Sequence, residues 1–230
     1  MTDDLAARLA DVDARIAAAA AAAGRDTAEL TRIVVTKFHP ASLVSRLAGL
    51  GVTDVGENRQ QELTAKRAEL GEIPGLRWHF IGQAQTKKAR AIREAAAVVH
   101  SVDRAKLADA LERAGEDDPR GPLDVLIQVN LTDDPDRGGV APDAVERLAE
   151  HVLGCGTLRL RGLMAVAPLD EEPASAFSRL HGYAERLRQV APDATWLSAG
   201  MTGDFAEAIA AGATHLRIGS AITGPRPDHG

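Results

Sequence analysis

Lys37 is the side chain in this 230-residue sequence whose position most clearly suggests chemistry. It directly follows an apolar, β-branched run at residues 33–36, a pattern typical of a buried strand. The neutral amine of a lysine held at such a strand end can attack an aldehyde and trap it as a Schiff base. The alternative interpretation is an ordinary solvated lysine at the end of a strand.

Two turns near the end of the sequence have the composition of anion-binding loops. The first contains Ser198, Gly200 and Thr202, the second contains Gly219 and Ser220, and each follows an apolar run and opens a predicted helix. Backbone amides and hydroxyl groups at a helix start favour a phosphate. Helix caps and tight turns would explain the same residues. An aldehyde-trapping lysine together with phosphate-binding turns suggests pyridoxal phosphate as the ligand.

Arg217 lies inside the last apolar run, at residues 215–218. An arginine that faces inward is costly unless it has a specific partner. A pyridine nitrogen and a structural carboxylate such as Glu57 are the two candidates. We interpret His79 as a core histidine with satisfied hydrogen bonds, because no spacing of histidines or carboxylates around it supports a metal. The sequence therefore predicts no metal site.

The composition excludes several classes of protein. Hydrophobic residues make up 45% and charged residues 26%, as in ordinary globular proteins, and the net charge of −6 disfavours nucleic acid binding. No run approaches the roughly 18 apolar residues of a membrane span. The first residues lack the pattern of a signal peptide, and Cys155 is the single cysteine. We expect a reduced, cytoplasmic protein that does not associate with membranes.

Short apolar runs alternate with segments of helical periodicity along most of the chain. The runs are residues 33–36, 53–55, 78–81, 98–101, 125–129, 160–164, 195–197 and 215–218. The helical segments are residues 41–50, 59–70, 87–97, 104–114, 142–153, 173–190 and 204–211. This alternation predicts parallel strands with right-handed crossovers, and eight units suit a (β/α)8 TIM barrel. An open doubly wound sheet is the alternative, although the glycine-rich dinucleotide turn is absent.

We predict one domain spanning residues 1–230, with an N-terminal helix at 1–24 and the barrel at 31–226. In such a barrel, residues just past each strand share one rim, where barrel enzymes keep their active sites. The residues expected on this rim are Lys37, Glu57, Asn58, Gly82, Gln83, Gln85, Ser101, Asn130, Met164, Ser198, Arg217 and Gly219. Their convergence, which depends on the fold, is the main argument for a site.

Six motifs, in order along the chain, resemble a known family. They are Val35-Thr36-Lys37, Gly56-Glu57-Asn58, Trp78-His79-Phe80-Ile81-Gly82 with Gln85 and Lys88, Arg161-Gly162-Leu163-Met164, Ser198-x-Gly200-Met201-Thr202-x-Asp204, and Arg217-Ile218-Gly219-Ser220-Ala221-Ile222. Together they resemble the pyridoxal phosphate homeostasis proteins, which are relatives of the N-terminal barrel of alanine racemase. The resemblance covers nearly the whole chain, from about residue 30 to residue 226.

The resemblance implies a barrel of the alanine racemase N-terminal type and assigns roles to residues at its rim. Lys37 matches the lysine that forms the aldimine, and Asn58 matches a pocket residue. Arg217 matches the arginine that faces the pyridine nitrogen. The positions that match phosphate-binding residues are Ser198, Thr202, Gly219 and Ser220.

The resemblance also implies a non-catalytic protein that holds pyridoxal 5'-phosphate and takes part in vitamin B6 homeostasis or delivery. Racemases of this fold take a second acid/base, a tyrosine, from a C-terminal domain. Here the chain ends at Gly230, and its single tyrosine, Tyr183, lies on a predicted outer helix. The alternatives are an amino-acid racemase or another fold type III enzyme and, third, a Schiff-base aldolase for a sugar phosphate. Pyridoxal phosphate-dependent apo-enzymes are candidate partners, and we expect a monomer.

Some positions differ from the usual sequence of the family. They are Arg59 after Gly-Glu-Asn, Phe38-His39 after the lysine, Arg137-Gly138-Gly139 in place of a lysine-containing loop, and Thr223 before Gly224. These differences concern the packing around the ring and the behaviour of loops. The sequence leaves open whether Lys87, Lys88 or Arg137 assists release of the cofactor.

Overall fold

Eight parallel strands close into a barrel in chain order. The computed structural model of the chain describes residues 4–226. Each strand pairs with the next, and the eighth pairs with the first. The strands are β1 (Thr31–Val35), β2 (Asp54–Glu57), β3 (Arg77–Phe80), β4 (Val98–Val102), β5 (Leu123–Gln128), β6 (Leu158–Met164), β7 (Trp196–Ser198) and β8 (His215–Ile218). The predicted barrel is confirmed, the open sheet is wrong, and each predicted apolar run overlaps one strand.

Helices connect the strands and surround the barrel. They are α1 (Leu5–Ala22), α2 (Ala41–Gly49), α3 (Gln60–Leu70), α4 (Ala89–Ala95), α5 (Ala105–Arg113), α6 (Val145–Leu153), α7 (Pro173–Val190), α8 (Phe205–Ala210) and α9 (Ser220–Thr223). Short 3-10 turns are present at Thr27–Glu29, Thr86–Lys88, Pro135–Arg137 and Pro142–Ala144. No described helix is long and apolar enough to cross a bilayer.

The N-terminal helix α1 precedes the barrel and packs against α8 and α9. Its buried residues recur at helical spacing, as expected for an amphipathic helix: Leu5, Leu9, Val12, Ile16 and Ala20. The Arg8 Nε donates to the carbonyl oxygen of Ile222 in α9 at 2.7 Å. Helix α1 therefore supports the segment that follows β8. Residues 1–3 of the predicted helix and 227–230 of the predicted domain lie outside the described residues.

The apolar core is divided by the barrel wall. A large cluster fills the layer between strands and helices. A second, smaller cluster consists of Val98, Leu126 and Met164, with Trp196 packed against it. These four side chains lie at alternate, inward positions of their strands, because successive residues of a strand point to opposite faces. Polar side chains fill much of the remaining interior and lead towards the carboxyl ends of the strands.

Candidate functional site

Lys37 lies two residues beyond the end of β1 and is partly exposed. The parallel pairing of β1 with β2 reaches Val35 and Gly56, and the Thr36 N–H donates to the Gly56 carbonyl oxygen at 3.0 Å, so Lys37 and Asn58 follow the ends of two neighbouring strands. On the other side of β1, a Cβ built on Gly219 would lie 3.6 Å from the Cβ of Val35. The end of β1 is therefore flanked by Asn58 and by the start of α9. These are three of the positions that the sequence predicted to share a site.

A buried ion pair holds the strand end that carries Lys37. The Glu57 Oε1 accepts hydrogen bonds from Thr36 Oγ1 and from Lys66 Nζ, both at 2.6 Å. Lys66 Nζ also donates to the Thr36 carbonyl oxygen at 2.8 Å. Burial raises the pKa of Glu57, and the hydrogen bonds from Lys66 and Thr36 oppose that shift. Because Glu57 pairs with Lys66 of α3, the alternative that it partners Arg217 is wrong. Glu57 is the last residue of β2, at the end of the strand where the sequence placed it.

The residue after Lys37 has an unusual backbone. Phe38 has a φ of 69°, a left-handed conformation that costs non-glycine residues roughly 1–2 kcal/mol. Its N–H donates to Glu62 Oε2 at 2.9 Å. Three cations face its ring, with Arg226 Cζ at 4.0 Å, Arg59 Cζ at 5.3 Å and Lys37 Nζ at 5.8 Å from the centroid. The two departures from the family sequence at Phe38 and Arg59 thus contact each other beside Lys37.

The guanidinium group of Arg217 is a buried cation in the barrel interior. Its Nη1 donates to Ser198 Oγ at 2.7 Å, and its Nη2 donates to the Ala165 carbonyl oxygen at 2.8 Å. Burial lowers the pKa of Arg217 to about 10, and the charge of Asp204 acts in the opposite direction. Within residues 4–226, no carboxylate forms an ion pair with this guanidinium. An isolated buried cation favours a ligand that brings a lone pair or a negative charge.

The turns after β7 and β8 have distinct geometries. Gly200 has a φ of +90°, and a Cβ there would lie 2.7 Å from the Cβ of Ala208, so a side chain would strain the turn. Thr202 is partly buried in the turn before α8. Ser220 begins α9, where first-turn amides have no intrahelical acceptor. A helix follows each turn, as predicted, while the ligand roles of Ser198, Thr202, Gly219 and Ser220 stay predictions.

Two histidines lie buried below Arg217. His79 Nε2 is 2.8 Å from Asp54 Oδ1, and His79 Nδ1 is 2.9 Å from His100 Nε2. The interpretation of His79 as a satisfied core histidine is confirmed, and the described residues contain no cluster suited to a metal. His100 Nδ1 lies 2.9 Å from Ser198 Oγ. Sequence reasoning missed His100, although a polar residue two positions from Val98 in a buried strand signals an inward side chain.

Comparisons with known proteins identify the family. The sequence model of the alanine racemase N-terminal domain matches residues 8–227. The pyridoxal phosphate homeostasis protein of Mycobacterium tuberculosis is 42% identical, over 97% of this chain and 93% of its own length. That of Pseudomonas aeruginosa is 43% identical, over 98% and 97%. This chain belongs to the pyridoxal phosphate homeostasis protein family. The resemblance inferred from the six motifs is confirmed.

A solved structure of a relative supports the same conclusion. PipY of Synechococcus elongatus, with pyridoxal phosphate bound, superposes with a TM-score of 0.83 at 32% identity. The match covers 96% of this chain and 100% of PipY. The barrel of the alanine racemase type is thus shared with a relative that holds the cofactor.

Two cavities on the rim are lined by Lys88 and Arg137, two of the cationic residues whose roles the sequence left open. A cavity of about 130 Å³ is lined by Lys88 together with Asn58, Arg59, Gln83 and Gln85. A second cavity, of about 760 Å³, lies between the loops after β5 and β6 and is lined by residues that include Arg137, Arg179 and Tyr183. Neither cavity is lined by Lys37 or Arg217. Lys87 is exposed beside the first cavity.

Proposed function

We propose that this protein binds pyridoxal 5'-phosphate as an aldimine of Lys37, without catalysing a reaction on it, and serves intracellular homeostasis of the cofactor. One observation carries the proposal. Arg217 is a buried guanidinium without an acidic partner among the described residues. It lies on β8, which pairs with the strand that leads to Lys37. An amine for the aldehyde and a cation for the ring nitrogen are two of the three contacts that this cofactor needs. The third is a binding site for the phosphate group of the cofactor.

The remaining residues fit the phosphate and the ring. Thr202 in the turn before α8, and Gly219 with Ser220 at the start of α9, offer a hydroxyl and backbone amides to the phosphate. Asn58 follows the end of β2, the neighbour of the strand that leads to Lys37, and can contact the ring. When bound, the cofactor supplies an aldehyde for Lys37 and an aromatic ring that can accept electrons. An arginine at the ring nitrogen keeps that nitrogen unprotonated, which weakens electron withdrawal and suits a carrier better than a catalyst.

The first test is an absorbance spectrum of the purified protein with pyridoxal phosphate, before and after borohydride, followed by peptide mapping. We expect a visible band whose reduction leaves the cofactor on Lys37. Lys37→Ala should lose this band, while Lys87→Ala, which changes an exposed lysine near the rim, should keep it. A colourless wild-type protein, or an unchanged band in Lys37→Ala, would sink the proposal.

Catalysis is tested separately, because a racemase or another fold type III enzyme would share the same lysine. Such an enzyme must exchange the α-hydrogen of an amino acid with solvent. The chain's single tyrosine, Tyr183, lies on α7 in the cavity between the loops after β5 and β6. We expect no deuterium incorporation into a panel of amino acids beyond that caused by free cofactor. Incorporation above that level would show that the protein is an enzyme and contradict the proposed carrier function.

We further propose a cytoplasmic monomer of 24.2 kDa that supplies cofactor to pyridoxal phosphate-dependent apo-enzymes. Large apolar side chains exposed in the described chain are divided between the two ends of the barrel. Leu50, Leu153 and Val190 lie near helix ends, and Val166, Leu169 and Met201 lie in loops after strands. Such scattered residues do not form the single large patch typical of an interface. Light scattering after size exclusion should give the monomer mass, and twice that mass would contradict it.

A further inference from the structure

A continuous series of buried hydrogen bonds crosses the barrel interior from the carboxyl ends of the strands to their amino ends. It begins where Arg217 Nη1 donates to Ser198 Oγ at 2.7 Å, and Ser198 Oγ lies 2.9 Å from His100 Nδ1. His100 Nε2 then lies 2.9 Å from His79 Nδ1. The series ends where His79 Nε2 meets Asp54 Oδ1 at 2.8 Å. All five side chains are almost completely buried.

The two ends of the series determine the position of every hydrogen in it. Arginine only donates and an ionised aspartate only accepts. His79 must therefore carry its hydrogen on Nε2, towards Asp54, and accept at Nδ1 from the Nε2–H of His100. His100 then accepts at Nδ1, so the Ser198 hydroxyl must donate to it. The opposite direction would place a bare ring nitrogen against the carboxylate of Asp54.

Burial keeps both histidine rings of the series uncharged. It lowers the pKa of His79, despite the opposing effect of Asp54, and it lowers the pKa of His100 strongly. Both rings are therefore neutral at neutral pH, and each has one hydrogen and one lone pair. With both histidines neutral, each donor in the series meets one acceptor. Because Arg217 has no acceptor site, the series cannot carry a proton to the ligand. Its physical effect is orientation.

We propose that His100, His79 and Asp54 are positioning residues that act through Ser198 to hold the guanidinium of Arg217 towards the ligand. The inference rests on the proposed function for the identity of that ligand. Since the Ser198 hydrogen is donated to His100, Ser198 offers Arg217 a lone pair and offers the phosphate no hydrogen. Ser198 thus acts on the ring end of the cofactor through Arg217, whereas Thr202 and Ser220 act on the phosphate.

The hydrogen positions are tested first in the ligand-free protein. Long-range proton–nitrogen NMR spectra of protein labelled with ¹⁵N-histidine distinguish the two neutral forms of each ring. We expect both His79 and His100 to carry hydrogen on Nε2 at neutral pH. A hydrogen on Nδ1 of either ring would overturn the inference. This result does not depend on cofactor binding.

The action through Arg217 is tested with two ligands, pyridoxal phosphate and pyridoxal, which lacks the phosphate. Ser198→Ala should weaken the binding of both by the same factor, roughly tenfold or more for a lost bond to a charged group. It should also shift the absorbance band of the bound cofactor, because the guanidinium near the ring is released. Thr202→Val should weaken only the binding of pyridoxal phosphate. An effect of Ser198→Ala confined to pyridoxal phosphate would show a direct phosphate contact and overturn the inference.

A matched histidine pair tests the remote part of the series. His100→Phe should reproduce the weaker binding and the shifted band of Ser198→Ala, and the double variant should be no worse than either. His215→Phe is the control, because His215 is a buried histidine of the same interior whose Nε2 has no partner among the described residues. It should leave affinity and band unchanged. If His100→Phe fails to fold, Ser198→Ala and the NMR spectra still decide.

The outcomes separate the two proposals. If the wild-type protein does not bind pyridoxal phosphate, both the proposed function and this inference fall. If the wild-type protein binds it and both Ser198→Ala and His100→Phe bind it with unchanged affinity and band, only the inference falls.

Discussion

Asp54 is a buried carboxylate at the amino end of β2. It contacts His79 in the barrel interior and Arg77, which is partly exposed to solvent. Burial raises its pKa, but hydrogen bonds from His79 and Thr53 and the charge of Arg77 lower it more, from 3.8 to about 2. Arg77 Nη2 lies 2.9 Å from Asp54 Oδ1 and its side chain is 46% exposed. The ionised form of Asp54 is therefore favoured by folding.

Because folding lowers the pKa of Asp54, the stability that its charge contributes is lost in acid. A folded pKa below the unfolded value contributes stability that is present above pH 3.8 and is lost as the pH falls towards about 2. After allowance for the solvent around Arg77, we expect about 1–2 kcal/mol. Asp54→Asn keeps an acceptor for His79 but removes the charge. Urea unfolding at neutral pH and at about pH 3 should show a smaller loss of stability in this variant than in the wild type.

The control for this prediction is Asp143→Asn, which changes an exposed aspartate on the surface. It should retain the full acid-dependent loss of stability. If Asp54→Asn loses as much stability in acid as the wild type, the charge of Asp54 does not contribute as argued.

The residues of the site differ in how far sequence could predict them. Lys37 and Arg217 were found because one ends a strand-like run and the other interrupts one. The pairing of Ser198 with His100 joins residues 98 positions apart, and it depends on side chains that meet across a closed barrel. No local pattern encodes such a meeting. Glu57 was misjudged for the same reason, since its partner Lys66 is on the helix outside β2.

At the scale of elements, a buried arginine joins three segments at the amino ends of the strands. Arg93 of α4 is 1% exposed, and its Nη1 donates to the carbonyl oxygens of Thr157 at 3.0 Å and Leu111 at 3.3 Å. Its Nη2 donates to the Gly121 carbonyl oxygen at 3.1 Å, and its Nε to Asp118 at 3.1 Å. Helix α5 and the loops before β5 and β6 are therefore held by one side chain.

Arg93→Met should destabilise the protein by about 3–5 kcal/mol, because it leaves the carbonyl oxygens of Leu111, Gly121 and Thr157 without their buried donor. Asp118 keeps its hydrogen bonds from Arg120. Arg159→Met is the matched control. Arg159 is 56% exposed and, among residues 4–226, pairs with Asp124 alone, so its loss should cost less than about 1 kcal/mol. Urea unfolding measures both changes. Equal losses in the two variants would show that the contacts of Arg93 contribute little.

Helix α1 ends in a hydrogen-bond pattern that requires a left-handed residue. The N–H of Arg25 donates to the Ala20 carbonyl oxygen at 2.9 Å, and that of Gly24 donates to Ala21 at 3.1 Å. Gly24 has a φ of +66° and no atom within 4 Å of a built Cβ, so only backbone strain opposes a side chain there.

This geometry gives a prediction of opposite signs at two glycines. Gly24→Ala should destabilise the protein by about 1 kcal/mol, the cost of a left-handed alanine. Gly182→Ala, inside α7 and also free of contacts, should stabilise it by about 0.5–1 kcal/mol through helix propensity. Thermal unfolding measures both. Changes of the same sign in the two variants would contradict the argument.

At the scale of the whole molecule, the order of elements was the most predictable feature. Strands and helices that alternate eight times allow few arrangements, because parallel pairing requires crossovers of one hand. The closed barrel follows, and with it the placement of Lys37, Asn58 and Arg217 on or just after the neighbouring strands β1, β2 and β8. Sequence did not predict the polar interior, since strand register and the contacts of inward side chains form only when the barrel closes. That interior links one end of the molecule to the other.

The whole molecule should respond to its cofactor through mass action. A ligand that binds only the folded state adds about 2.7 kcal/mol of stability at about 100 times its dissociation constant. For a chain of this size, that corresponds to a rise of about 5–10 °C in Tm. We expect this rise for the wild-type protein with pyridoxal phosphate, and for Lys87→Ala, which changes an exposed amine outside the proposed cofactor-binding residues. Lys37→Ala should rise clearly less at the same concentration, because its phosphate contacts remain but its covalent bond is lost. An equal rise in Lys37→Ala would mean that stabilisation comes from the phosphate turns alone, and that Lys37 does not anchor the cofactor.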